Sequence, residues 1–184
     1  MIIEKEDFLN SQESEELIKI GESLLFKAGV LGKNSPDSYR TAESAWLPEG
    51  FELVQKIKDK ISDLTNEPKN KMEGVHLVKY NVGGEYKTHH DFFHPGTDYY
   101  EGCMIRGGQR KKSALIYLND DFKGGETDFP SVGRTITPKK NKIVVWDNLK
   151  ENGELDYDSL HAGLPVIEGI KYIVVVWIRQ GNFR

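Results

Sequence analysis

His89, Asp91, His161 and Lys171 together offer two imidazoles, a carboxylate and an ammonium, a set able to hold a metal beside an acidic ligand. The run His89-His90-Asp91 sets two metal-binding side chains two positions apart. If the run is an extended strand, side chains alternate between faces, so His89 and Asp91 point one way and His90 the other. A third imidazole, brought by the fold from His161, completes a two-histidine, one-carboxylate set. That facial arrangement leaves open positions on Fe(II), and open positions are where a reaction can take place. Lys171 sits in Ile170-Lys171-Tyr172-Ile173-Val174-Val175-Val176-Trp177-Ile178, a run apolar on both faces. A lysine there is either the solvated start of a strand after Gly169 or a point charge held for a ligand carboxylate, because an unpaired buried ammonium is costly.

Each of these signals is weak alone. His-x-Asp pairs are common in loops, and an isolated histidine such as His161 reads more simply as a hydrogen-bonded surface residue. The setting of His161, Ser159-Leu160-His161-Ala162-Gly163-Leu164-Pro165-Val166, favours a ligand, since small neighbours let backbone and cosubstrate approach closely. His76, His90 and His94 lack that setting. His90 has the wrong strand parity and His94 adjoins Pro95 at the strand's end, so both read as bystanders.

The elements that must position these residues fall into two halves. Asn10 or Ser11 caps a helix expected to run to about Phe26, with Glu13, Glu15 and Glu16 in its first turn and Leu17, Gly21, Leu24 and Leu25 on one face. A second helix is expected from about Pro48 to just before Pro68, carrying Phe51, Val54, Ile57, Ile61 and Leu64 at spacings of three and four. From Met72 the pattern changes to short β-rich runs at 74–80, 86–93, 113–119, 126–129, 134–137, 143–147 and 170–179. Helices followed by many strands predict an α+β domain with a double-stranded β-helix, or jelly-roll, core. One domain, 1–184, is expected, with 1–70 mainly helical support and 71–184 the core. Residues 95–108 read either as a substrate lid beside the iron or as a surface loop without function, and 149–160 as a connection to His161.

Composition narrows the function. Apolar residues at 38% and charged residues at 29% allow a buried core and argue against a disordered chain. The net charge of −4, with no basic run longer than Arg110-Lys111-Lys112, lacks the footprint of a nucleic-acid binder. Cys103 is the only cysteine, which excludes an internal disulfide and fits a reducing compartment; its thiol reads as a bystander. Met1-Ile2-Ile3 is followed at once by charge and the longest apolar run suits a strand, so neither a secretory signal nor a membrane span is expected, and a soluble cytoplasmic protein is.

Together the blocks resemble the prolyl 4-hydroxylases among the 2-oxoglutarate- and Fe(II)-dependent oxygenases. Tyr80-Asn81-Val82-Gly83-Gly84-Glu85-Tyr86-Lys87-Thr88-His89-His90-Asp91 is similar to that family's Tyr-x-x-Gly-x-x-Tyr-x-x-His-x-Asp block. Gly107-Gly108-Gln109-Arg110, Ile116-Tyr117-Leu118-Asn119, Gly124-Gly125-Glu126-Thr127-Asp128-Phe129-Pro130 and His161-Ala162-Gly163 through Lys171 follow in the family's order. Ser113 stands where the family often has threonine. The resemblance implies iron at His89, Asp91 and His161, and 2-oxoglutarate held by Lys171 with Tyr80 and Thr127, which otherwise read as a core aromatic and a β-former. It implies a peptide groove lined by Tyr86, Arg110, Trp177 and Glu73. It further implies O2 as cosubstrate, ascorbate as reductant and a proline-containing peptide as substrate, hydroxylated at C4. The lysine anchor resembles the collagen-type and the plant or microbial branch. An oxygenase acting on another residue or a small molecule, and a jelly-roll module that binds peptide without chemistry, are the alternatives.

Overall fold

The computed structural model describes residues 1–28 and 39–184. In chain order the elements begin with β1 (Ile2–Lys5), α1 (Ser11–Glu22), β2 (Phe26–Lys27), β3 (Glu43–Trp46) and α2 (Glu52–Thr65). They continue with β4 (His76–Tyr80), β5 (Tyr86–His89), α3 (Tyr100–Met104), β6 (Arg110–Tyr117), β7 (Lys123–Gly124) and β8 (Thr127–Phe129). The last are β9 (Arg134–Ile136), β10 (Ile143–Asp147), β11 (His161–Gly163), β12 (Val166–Glu168) and β13 (Lys171–Arg179). Among the described residues a seven-stranded sheet runs β1-β10-β6-β13-β4-β3-β2 and a four-stranded sheet runs β5-β11-β8-β9. Neighbouring strands in both are antiparallel, and side chains from both sheets share one apolar cluster, as the jelly-roll expectation requires.

β13 shows how one strand serves two cores. All nine of its residues are buried. Tyr172, Val174, Val176 and Ile178 join the cluster under α1 and α2, while Ile173, Val175 and Trp177 join the cluster between the sheets. The alternation follows from the pleat and puts Lys171 on the inter-sheet face with Ile173. Tyr80, Val78 and His76 of β4 share that face, because Lys171 pairs with Tyr80, Ile173 with Val78 and Val175 with His76.

α1 begins with a capping box: Asn10 accepts from the Glu13 backbone at 2.9 Å, and Glu13 accepts from the Asn10 backbone at 2.9 Å. It stops at Glu22, short of the expected Phe26, because Phe26–Lys27 pairs with β3 instead. Leu17 and Gly21 are buried as expected, whereas Leu24 is exposed. α2 starts at Glu52 rather than near Pro48, which closes a turn onto Phe51, and ends at Asn66 in the left-handed conformation. The first seventy residues supply β1, β2 and β3 as well as helices. β5 ends at His89 and does not reach residue 93. Past that point Gln109 replaces a neighbouring strand, its side chain bonding both Phe93 N at 2.8 Å and Phe93 O at 2.7 Å. Within 95–108, α3 interrupts the expected loop and the segment's end is tied down by Gly108 N to Met104 O and Gly181 N to Gly107 O.

Candidate active site

His89 closes β5 and His161 opens β11, and the two residues pair across those strands. Asp91 lies in the bend after β5, so it shares the site with His89 through that bend, not through the strand parity expected. His89 Nε2 is 3.6 Å from Asp91 Oδ1 and His161 Nε2 is 3.7 Å from Asp91 Oδ2. Ligand atoms of the three lie within 4.8 Å of one another.

The donor set fits a divalent metal. His89 Nδ1 is 2.7 Å from Lys87 O and His161 Nδ1 is 2.8 Å from Ser159 O. A carbonyl only accepts, so each Nδ1 carries the proton and each Nε2 lone pair is left for a metal. Burial, with the neighbouring His161, lowers His89 to about 3 and keeps its imidazole neutral. Burial pushes Asp91 up, but His161, His89, Arg110 and the Ser113 hydroxyl outweigh it and hold the carboxyl at about 2. Ser113 donates to Asp91 Oδ2 at 2.6 Å and accepts from Asn148 Nδ2 at 2.8 Å.

A cavity lined by all three of these residues is also lined by Lys171, Tyr80 and Thr127, with Leu115, Ile173 and Val175 as apolar wall. Lys171 is 2% exposed, which rules out the solvated strand start. Its Nζ donates to Gly125 O at 2.7 Å and lies 5.0 Å from the Tyr80 ring centroid. Among the described residues no carboxylate is in salt-bridge range of it, and burial lowers the amine to about 7 against the pull of Glu126. A Cβ added at Gly163, two residues past His161, would lie 4.0 Å from Nζ, at ordinary contact distance, so β11 passes close beside the Lys171 amine. The chemistry of this lining, a metal-type donor set on one side and a lysine amine on the other, suits a small dianion. Thr127 Oγ1 shares a 2.6 Å hydrogen bond with Tyr117 OH.

An outer cleft of about 610 Å³ reaches His89 and Asp91 and is lined by Tyr86, Arg110 and Trp177. Tyr86 stacks on His89 at 3.5 Å between centroids, and Arg110 lies 3.7 Å over the Trp177 ring. Glu73, expected in the groove, is not among its lining residues. It sits behind, taking Arg110 Nε at 2.7 Å and Nη2 at 2.8 Å, and also pairs with Arg179 at 3.1 Å. His90 and His94, read from the sequence as bystanders, both line the cleft. The carbonyl of Cys103 accepts from Arg179.

Sequence reasoning gives no role to Tyr117, Asn148, Arg40 or His76. Strand parity on β6 is the signal that finds Tyr117, which follows Ser113 and Leu115 onto the inter-sheet face. Arg40, which lines both cavities, carries no motif signal.

Comparison with known proteins gives a consistent answer. The family model described as 2OG-Fe(II) oxygenase superfamily matches residues 75–179. The Arabidopsis thaliana protein named "Probable prolyl 4-hydroxylase 8" is 33% identical over 97% of this chain and 68% of its own length. Prolyl 4-hydroxylase subunit alpha-1 of Gallus gallus is 35% identical over 95% of this chain, which spans only 34% of that subunit. The crystal structure of the viral collagen prolyl hydroxylase of Paramecium Bursaria Chlorella virus-1 in its 2OG complex superposes with a TM-score of 0.76 at 28% identity, covering 97% of this chain and 95% of that one.

Proposed function

The chain belongs to the 2OG-Fe(II) oxygenase superfamily, and from that membership we propose that it hydroxylates peptidyl proline at C4 while converting 2-oxoglutarate to succinate and CO2. The observation that carries this reading is the cavity lined by His89, Asp91 and His161 together with the buried Lys171, which has no carboxylate of the described residues in salt-bridge range. A module that only bound peptide would have no use for that pairing.

His89, Asp91 and His161 hold Fe(II); Lys171 pairs with the distal carboxylate of 2-oxoglutarate, and Tyr80 and Thr127 flank it. With metal and cosubstrate bound, the oxidative decarboxylation of 2-oxoglutarate supplies the power to insert one oxygen atom of O2. The chain's own part is to orient and to exclude water. Ser113 and Asn148 fix the carboxylate, two backbone carbonyls fix the imidazoles, and Leu115, Ile173 and Val175 keep the chamber dry. Tyr86, Arg110 and Trp177 receive the peptide in the outer cleft. The names of the relatives in a plant, an animal and a virus support a proline target. Residues 1–184 act as one catalytic domain, supported by the strands that 1–70 adds to the large sheet. Ascorbate as reductant and a cytoplasmic setting belong to the same proposal; among the described residues no helix is long and apolar enough to cross a membrane.

The test is to supply Fe(II), 2-oxoglutarate and O2 with proline-containing peptides, and to read succinate and peptide mass together. A gain of one oxygen, located at proline C4 by amino-acid analysis, is expected. Succinate without modified peptide would move the substrate elsewhere, and no succinate would leave a binding module.

A further inference from the structure

His76, Val78 and Tyr80 share the inter-sheet face of β4, and this row leads from the inner chamber to the outer cleft. At a strand rise of about 3.3 Å per residue, His76 stands roughly 13 Å from Tyr80. Its ring stacks on Trp46 with centroids 4.3 Å apart and tilts against Trp177 at 5.6 Å. Trp46 pairs with His76 across β3 and β4, so the stack is built into the register.

His76 is 5% exposed, and its Nδ1 is sealed from water with no hydrogen-bond partner among the described residues. Among the described residues Nε2 makes no hydrogen bond either, but it is not one of the sealed atoms, and His76 lines the outer cleft. Burial, reinforced by the charges of Arg40 and Arg110, lowers His76 to about 3, so the ring is neutral and has one donor and one acceptor. A proton on Nδ1 would be a buried donor with nothing to accept it. The proton therefore belongs on Nε2, facing the cleft.

We propose that His76 is a substrate-binding residue whose Nε2–H donates to a backbone carbonyl of the bound peptide, with Trp46 and Trp177 packing the residues beside that carbonyl. This rests on the proline-hydroxylase reading above. Proline has no N–H, so a proline-rich segment offers its partner mainly carbonyl acceptors, and a groove for it must supply donors set among apolar faces. Arg110, stacked on Trp177, is a second such donor.

The test measures kcat and KM with a (Pro-Pro-Gly)5 peptide for the wild type, His76→Phe and His76→Gln. Phenylalanine keeps the aromatic stack and removes the donor; glutamine keeps a donor and removes the ring. The expected result is a KM raised about three- to tenfold in His76→Phe, with kcat within about twofold, and a KM near wild type in His76→Gln. If phenylalanine prevents folding, His76→Leu makes the same comparison. An unchanged KM without the donor, or equal losses in the donor and donor-free variants, would overturn the proposal. A wild type that makes succinate but leaves the peptide unmodified would defeat the proline reading itself, and with it this role for His76, before any variant is compared.

Discussion

Asn119 brackets Lys171: its side-chain amide donates to Ile170 O at 2.6 Å and its side-chain carbonyl accepts from Tyr172 N at 2.7 Å. The backbone on both sides of the lysine is thus pinned by one side chain just past the end of β6. Asn119→Ala leaves two backbone groups at the start of β13 without that clamp, so Lys171 is less well aimed. The expected outcome is a KM for 2-oxoglutarate raised about tenfold with Fe(II) affinity retained, read from succinate formation over a range of cosubstrate concentrations. Equal loss of both affinities would mean that Asn119 merely holds the fold.

Ser113 does for Asp91 what the carbonyls do for the histidines. Ser113→Ala removes the hydroxyl at 2.6 Å from Asp91 Oδ2 and takes from Asn148 its acceptor. Loss of such an outer hydrogen bond costs about ten- to a hundredfold in metal affinity. The Fe(II) concentration for half-maximal succinate formation should rise by that factor in Ser113→Ala. Ser113→Thr, which retains the hydroxyl, should stay near wild type.

The Lys171 amine, lowered to about 7 by burial, gives cosubstrate binding a pH dependence of known sign. Only the ammonium pairs with a carboxylate. Below about pH 7 the empty site already carries the charge; above it, binding must take up a proton, and affinity falls about tenfold per pH unit. Anaerobic calorimetry at saturating Fe(II) should show 2-oxoglutarate affinity falling from about pH 7 upward with proton uptake. Lys171→Met should bind weakly with no such slope. A flat profile in the wild type would refute the anchor's depressed pKa.

Glu73 pairs with both Arg110 and Arg179, and the side chains of Glu73 and Arg110 are 7% and 14% exposed. Removing one partner from a buried ionic group leaves the other charges uncompensated, at about 3 kcal/mol or more. Glu73→Gln should lower the denaturation midpoint accordingly and weaken peptide binding by releasing Arg110 from Trp177. An unchanged midpoint would show that water compensates the two guanidinium groups.

How legible all this is in the sequence depends on the range of the interactions. The apolar stretch Ile143–Asp147 and the long run after Lys171 announce themselves, because burial on both faces leaves a continuous apolar signature. The strand carrying His161 has three residues, and β2 and β7 have two each; such elements exist only through pairing with distant chain and leave no local period. The spacing of His89 and Asp91 points to a shared site although the parity argument fails, since the strand ends at His89 and the bend returns Asp91 to its side. Resemblance puts Glu73 in the groove, because proximity in a motif does not tell a residue that touches a ligand from one that holds Arg110. His76 has no motif of its own, and only the tertiary stack between Trp46 and Trp177 makes it conspicuous.

In the proposed reading His161 holds the metal while Lys171 holds the cosubstrate, both from the lining of one cavity. Peptide-stimulated succinate formation, measured for wild type, His161→Ala and Lys171→Ala across 2-oxoglutarate concentrations at saturating Fe(II), tests it most directly. No turnover is expected of His161→Ala at any concentration, and activity in Lys171→Ala should return only as 2-oxoglutarate is raised well beyond the wild-type requirement. Turnover by His161→Ala, or a wild-type 2-oxoglutarate requirement in Lys171→Ala, would contradict that reading.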